Sequence, residues 1–411
     1  MSFNSRVLGA LQKTGEFLEY GARRAKLKLD FYRNRRTHRR IFRGVVTRIL
    51  VVRLGSLGDV VRSTAIVSEL RRQYPSATID FLTSRSSRAI LASNPELNHV
   101  FVLADLDSLG PYDWIVNLQN PNPIPSFLDE SGLSYRDVLA HLSERLQARF
   151  ISGRHLEGGR EVSPTDIHFC IAEFEELFRI ALLDYHPDRY PRTMIYLPEG
   201  GQKAVSEKFN LPAGRPVLGF FLGTNSVGRG ADEGYRVYSM PQVARIVEHF
   251  LPRFTVAIFG ESRMRSAQEL EEYRTLLARH PEIVDLVDRT TIGELTALMD
   301  RFAVVVTVDS SPVHIAMARG VPVVGLYVSD ATFRIAPALE AEQYEAINSA
   351  SPCFKYSQRW KFFCLACRDA STRARYCTNT AFVFGVDRIP IERIDRAVTR
   401  LLDAREAACR T

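Results

Sequence analysis

Two short polar turns hold the residues best suited to chemistry. The first is Gly55-Ser56-Leu57-Gly58-Asp59, which follows the apolar run Arg48 to Leu54. The second is Asp309-Ser310-Ser311, which follows Val304 to Val308 and leads to Pro312 and, one helical turn on, His314. A carboxylate where a strand ends and a helix begins can take a proton from a bound hydroxyl. Free backbone N–H groups at such a turn, with Ser hydroxyls beside them and a helix dipole behind, suit an anion. Each feature also has a plainer explanation. Asp59 satisfies a helix N-terminus on electrostatics alone, 304–327 reads as a well-capped strand–helix–strand unit, and a core histidine explains His314. The first turn has only two glycines and is not the G-x-G-x-x-G of dinucleotide sites. A third cluster is Cys364-Leu-Ala-Cys367 with Cys353 and Cys377 on either side. Four thiolates in a tetrahedron hold zinc, but the outer pair is not closely spaced, so ordinary reduced thiols are expected there.

The elements that must position these turns alternate. Strands are predicted at Arg48–Leu54, Thr78–Leu82, His99–Leu103 and Trp114–Leu118, with helices at about 60–74 and 86–93. A Pro-rich stretch, 119–135, reads as a long loop; Leu139–Leu146 and Ile167–Leu183 read as helices, and His186–Gly201, with three prolines, as a linker. The alternation then resumes, with strands Pro216–Leu222, Thr255–Phe259, Ile283–Val287, Val304–Val308 and Val323–Tyr327. Helices lie between them, and an amphipathic helix covers Ile389–Ala408. Alternating strands and helices define a doubly wound parallel sheet, whose ligands sit at the carboxyl ends of the strands. Two such sheets place a cleft between domains. The expected division is a basic arm 1–44, a Rossmann-like domain 45–190, a second one 191–385, and a terminal helix 386–411 packing back across both.

The stretches ILVVRLGSLGDVVRSTAIVSELRRQYP and DRTTIGELTALMDRFAVVVTVDSSPVHIAMARGVPVVGLY resemble glycosyltransferase family 9, the lipopolysaccharide heptosyltransferases. The resemblance implies an α/β GT-B fold with an acceptor-binding first half and a donor-binding second half. It implies inverting transfer of heptose from ADP-heptose to an inner-core sugar of lipid A, with no cofactor or metal required. By the same resemblance Asp59 is the general base, with Gly55, Ser56, Gly58 and Arg62 on the acceptor side. Gly223, Thr224, Asn225 and Arg236, then Asp309, Ser310, Ser311 and His314, hold the donor diphosphate, and Glu261 faces its nucleoside. Arg236 and Tyr238 stand where the family more often has Lys and Trp, and Arg62-Ser63-Thr64-Ala65 where relatives often have His-Thr-Leu-Pro. Arg236 still neutralises phosphate, whereas the second departure, with the loose match through 120–215, bears on acceptor identity. The other readings of the same two-domain scaffold are transfer from a UDP or GDP sugar, a nucleotide-sugar epimerase, and a non-catalytic nucleotide-sugar-binding protein.

Composition sets the surroundings. Of 411 residues, 45% are hydrophobic and 25% charged, as in an ordinary globular chain. No run approaches the roughly 20 apolar residues of a membrane span, and the N-terminus lacks a secretory pattern. A cytoplasmic place is expected. The net charge of +7 is unevenly spread, because residues 1–50 hold 13 of the 54 Lys and Arg and only 3 of the 47 Asp and Glu. Val7, Leu11, Leu18, Ala25, Leu29 and Tyr32 recur at helical spacing ahead of the cluster Arg33, Arg35, Arg36, Arg39, Arg40. A basic amphipathic helix of this kind lies on an anionic membrane surface, here the inner face of the cytoplasmic membrane beside a lipid-linked glycan acceptor. A helix packed on the body is the competing expectation. No nucleic-acid module accompanies the arm, so no nucleic-acid partner is expected.

Overall fold

The computed structural model describes residues 28–55, 57–118, 148–153, 173–185, 192–209, 214–223, 238–327, 343–348 and 386–410, with a few isolated positions besides. The expectations for Ser56, the loop 119–135, the helix over 139–145, Thr224, Asn225, Arg236 and the cysteines 353, 364, 367 and 377 lie outside the described residues.

A helix over 28–42 (α1) opens the described chain. There follow β1 (Arg48–Val52), α2 (Leu57–Gln73), β2 (Thr78–Thr83), α3 (Arg88–Leu91), β3 (His99–Val102), β4 (Trp114–Asn117) and β5 (Phe150–Gly153). A short antiparallel pair, β6 (Leu156–Glu157) and β7 (Arg160–Glu161), and α4 (Glu173–Ile180) complete this half. The strands form one sheet in the order β3-β2-β1-β4-β5, parallel throughout. β1 is buried along its apolar length because helices cover both faces of a parallel sheet.

The second half runs α5 (Gly201–Phe209), β8 (Val217–Phe221), α6 (Met240–Phe250), β9 (Thr255–Gly260), α7 (Ala267–Arg279), β10 (Val284–Val287), α8 (Ile292–Met299), β11 (Val304–Val308), α9 (Ser311–Ala318), β12 (Val323–Tyr327), β13 (Tyr344–Asn348) and α10 (Ile391–Arg410). Its six strands are parallel in the order β10-β9-β8-β11-β12-β13. Each sheet therefore reverses its winding once, between β1 and β4 in the first and between β8 and β11 in the second. Such a switch point leaves a crevice at the carboxyl ends of the two central strands. The connecting segment touches both halves: Met194 N donates to Thr64 Oγ1 of α2 (2.9 Å), and Arg319 at the end of α9 donates to Ile195 O (2.6 Å).

From residue 28 onward the basic segment packs on the first half, as the competing expectation had it, while 1–24 lie outside the described residues. Phe31, His38 and Phe42 are buried, and His38 meets the rings of Trp114, Tyr74 and Phe150 edge-on. Arg35 pairs with Asp184 (2.5 Å). The apolar face that docks is thus offset from the one read in the sequence, and Leu29 and Tyr32 are left 68% and 64% exposed. The terminal helix α10 packs on β11, β12 and β13 of the second sheet, where its main contacts are concentrated. Ile394, Ala397, Val398 and Leu401 make the buried stripe that covers this sheet.

Candidate active site

Asp59 lies in the first turn of α2, at the carboxyl end of β1 and next to the switch point. Arg53, the first residue after β1, reaches Asp59 Oδ2 with Nη2 at 2.5 Å, and its Nη1 donates to Leu118 O just beyond β4. It therefore spans the switch point and fastens the carboxylate to it. Arg62, one turn along α2, donates to Asp59 Oδ1. Both arginine side chains are 8% exposed and the Asp59 side chain 23%. Burial alone raises a carboxyl pKa, but these two guanidiniums and their hydrogen bonds outweigh it and hold Asp59 far below the usual carboxylate range. Each carboxylate oxygen has two lone-pair directions and can accept more than one hydrogen bond.

The second turn is built in the same manner. Asp309 follows β11 and is almost fully buried, and its N–H donates to Leu326 O at 3.2 Å. Ser310 occupies the N-cap of α9 with extended backbone, yet its hydroxyl makes no capping hydrogen bond, and Pro312 sits in the first turn. The opening N–H groups of α9 lack an intrahelical partner, as at any helix start. Gly320 ends the helix with a φ of +70°.

These two turns meet. A Cβ added to Gly58 would lie 2.6 Å from His314 Cδ2 and 3.4 Å from Ser311 Cα. The N-termini of α2 and α9 therefore abut across the junction of the halves, with Gly58 as the point of closest approach. Two positive helix ends beside one carboxylate favour a ligand that carries negative charge and presents a hydroxyl nearby. His314 is buried at this contact.

Other predicted positions fall nearby in the fold but are differently engaged. Gly55 is buried in the first turn. Gly223 follows β8 at its carboxyl end with a φ of +152°, a conformation that favours glycine. Glu261 follows β9 and pairs with Arg263 Nε at 2.5 Å, its side chain 41% exposed. Tyr238 is buried against Phe220 with ring centroids 5.2 Å apart, and burial raises the pKa of its phenol. It is a packing residue of the second half. Two arginines escaped the sequence reading. Arg53 was visible only as a basic residue at a strand end. Arg265, its side chain 1% exposed, donates to Leu222 O and to Tyr238 O (2.5 Å) while pairing with Glu269 (2.9 Å). It thereby joins the end of β8 to the entry of α6. Among the described residues there is no cluster of His, Cys, Asp and Glu that could hold a metal ion.

Two parallel Rossmann-like sheets whose helix-start turns abut make up the GT-B fold. Solved structures with this fold include a family 9 glycosyl transferase from Veillonella parvula (TM-score 0.59, 16% identity, covering 87% of this chain and 97% of that one). Another is the ADP-heptose lps heptosyltransferase II of Escherichia coli (TM-score 0.54, 17% identity, 86% and 99%). Residues 170–363 match the model of Glycosyltransferase family 9 (heptosyltransferase). Curated relatives agree. The lipopolysaccharide core heptosyltransferase OpsX of Haemophilus influenzae is 22% identical over 301 residues, 70% of this chain and 81% of its own length. Lipopolysaccharide heptosyltransferase 3 of E. coli is 22% identical over 286 residues, 66% and 79%.

Proposed function

We propose that this chain is an inverting heptosyltransferase that moves heptose from ADP-heptose onto a lipopolysaccharide core-type acceptor, with Asp59 as general base. The observation that carries the reading is the abutment of Gly58 on Ser311 and His314, which sets a half-buried carboxylate beside a helix start suited to phosphate. In this reading the acceptor hydroxyl oxygen attacks the anomeric carbon. Its proton passes to Asp59, and the bond from that carbon to the diphosphate oxygen breaks with its electron pair leaving on ADP. A carboxylate held so far below its usual pKa is a weak base in the ground state. The hydroxyl proton becomes acidic only as its oxygen bonds to an oxocarbenium-like centre, so transfer to Asp59 is late in the step. Arg53 and Arg62 then keep Asp59 ionised and oriented, and return it to that state after each turnover.

The leaving diphosphate is received by the start of α9 with Ser310 and Ser311, and by the turn after β8 that begins at Gly223. Thr224, Asn225, Arg236 and Glu261 are proposed donor residues on the strength of the family motif, with residues 45–190 as the acceptor half and 191–385 as the donor half. Preorganised N–H groups at the departing oxygens supply the charge stabilisation that the step needs. An enzyme of this kind works in the cytoplasm at the inner face of the membrane, where a lipid-linked acceptor is exposed.

Thermal unfolding with ADP, UDP or GDP in excess tests the donor. A ligand at 100 times its Kd adds about 2.7 kcal/mol of stability. Selective stabilisation by ADP, followed by turnover of ADP-heptose with a core acceptor that Asp59→Asn lowers by about 10²–10⁴-fold, is the expected result. Stabilisation by UDP or GDP instead would replace the donor. Loss of ADP-heptose without acceptor, yielding a new nucleotide sugar, would make the protein an epimerase.

A further inference from the structure

Helix α1 divides into two faces of different chemistry. One, through Phe31, His38 and Phe42, is buried on the first half. The other carries Lys28, Leu29, Tyr32, Arg33, Arg36, Arg39, Arg40 and, at its end, Arg43, all exposed. Val45, three residues past the helix, is also 68% exposed. Leu29, Tyr32 and Val45 are thus three of the four large hydrophobic residues that stand out among the described ones, the fourth being Met194. The five arginines of this face form no ion pair among the described residues. Asp30, the one acid between 28 and 43, is only partly exposed and lies about a third of a turn from the centre of the face.

From this arrangement we infer that the outward face of α1 is a docking surface for an anionic lipid bilayer, presented rigidly because the opposite face is packed. The inference rests on the reading of the acceptor as lipid-linked, and it names the surface that meets that lipid phase. Charge complementarity selects an anionic partner. The two apolar side chains set among the arginines select a bilayer over a nucleic acid, whose backbone offers nothing for Leu29 or Val45 to enter. Tyr32, with an apolar ring and a polar tip, suits the headgroup level. The helix is held by Trp114 and Phe150, the first residues of β4 and β5. Asp59 lies past the other end of β1. The surface therefore seats the enzyme at the amino edge of the first sheet and leaves the crevice at the carboxyl edge open.

Flotation of the full chain with phosphatidylcholine vesicles, with and without phosphatidylglycerol, tests this. The wild type is expected to float only with the anionic vesicles and to be released by salt. Arg36→Glu/Arg40→Glu is expected to lower partition by more than about tenfold, and Leu29→Ser/Tyr32→Ser by severalfold. Both variants alter exposed side chains and should keep the melting temperature and the ADP-induced shift of the wild type. Equal flotation of the wild type and the charge-reversed chain would overturn the inference, as would binding to duplex DNA without flotation. If the vesicle result holds while ADP has no effect, the donor reading fails and the docking surface stands; the converse result separates them the other way.

Discussion

At the scale of single residues, the site turns on how Asp59 is held. Arg53 and Arg62 depress its pKa, so its ionised form contributes stability above the unfolded carboxylate value of about 3.9 and loses it as pH falls below that value. Asp59 therefore stays charged throughout pH 5–8, and an acid limb in kcat/KM across that range would belong to another group. Replacing one cation by Arg62→Gln should move the Asp59 limb upward, which a pH–rate profile beside the wild type reads. Asp59→Asn should lower kcat by about 10²–10⁴-fold with the ADP-induced melting shift intact. Gly58→Ala separates contact from propensity. Within a helix this change ordinarily stabilises by about 1 kcal/mol, whereas here its Cβ meets His314. We expect a lower melting temperature and a raised KM for donor, measured by thermal unfolding and initial rates. Asp59, Ser310 and His314 were legible in the sequence because each sits in a local turn pattern. Arg53 was not, because its partner Leu118 is brought beside it only by the pairing of β1 with β4.

At the scale of elements, the docked helix and the stapled strand ends each invite a test. Burial, with Arg39 next to it, lowers the pKa of His38 to about 4. His38 is therefore neutral when folded, and the stability this provides is complete above about pH 6.5 and is lost as pH falls from there towards 4. The full loss is up to about 3 kcal/mol. The melting temperature of the wild type should drop between pH 7.5 and 5 more steeply than that of His38→Phe, which keeps a ring among Trp114, Tyr74 and Phe150. Arg265→Met leaves the carbonyls of Leu222 and Tyr238 without their buried donor and should cost about 2–4 kcal/mol in denaturant unfolding. The central strands were readable as short β-branched runs bounded by turn residues. β5 and β13 were not. Phe-Ile-Ser-Gly and Tyr-Glu-Ala-Ile-Asn are edge strands of mixed polarity, and only pairing with β4 and β12 makes them strands. The docking face of α1 was misjudged for a similar reason. Its buried members include a histidine, which hydropathy alone sends to solvent, while the aromatic pocket at Trp114 takes it in.

At the scale of the molecule, the site belongs to neither half alone. Hydrogen exchange with bound ADP should protect the start of α2 at 57–61 as well as the start of α9 at 310–314, since the two abut. Protection confined to the second would mean that the motifs do not form one site. No described helix is long and apolar enough to cross a membrane.

The winding of the two sheets also governs when the molecule can come into being. In the first, the central strand β1 finds β2 and β4 within the next 65 residues, Ile49 pairing with Trp114. In the second, β8 pairs early with β9, but its other neighbour β11 is far along the chain, Leu218 meeting Val304. Chains are made from the N-terminus and domains fold as they emerge, and long-range parallel pairing is slow. A chain still on the ribosome and halted before Val304 would carry a finished first sheet, with Asp59 already clamped by its arginines. The surface that receives the α9 end would remain bare. About the last quarter of translation closes that surface, so the nascent chain has Asp59 in place long before the turn that comes to face it.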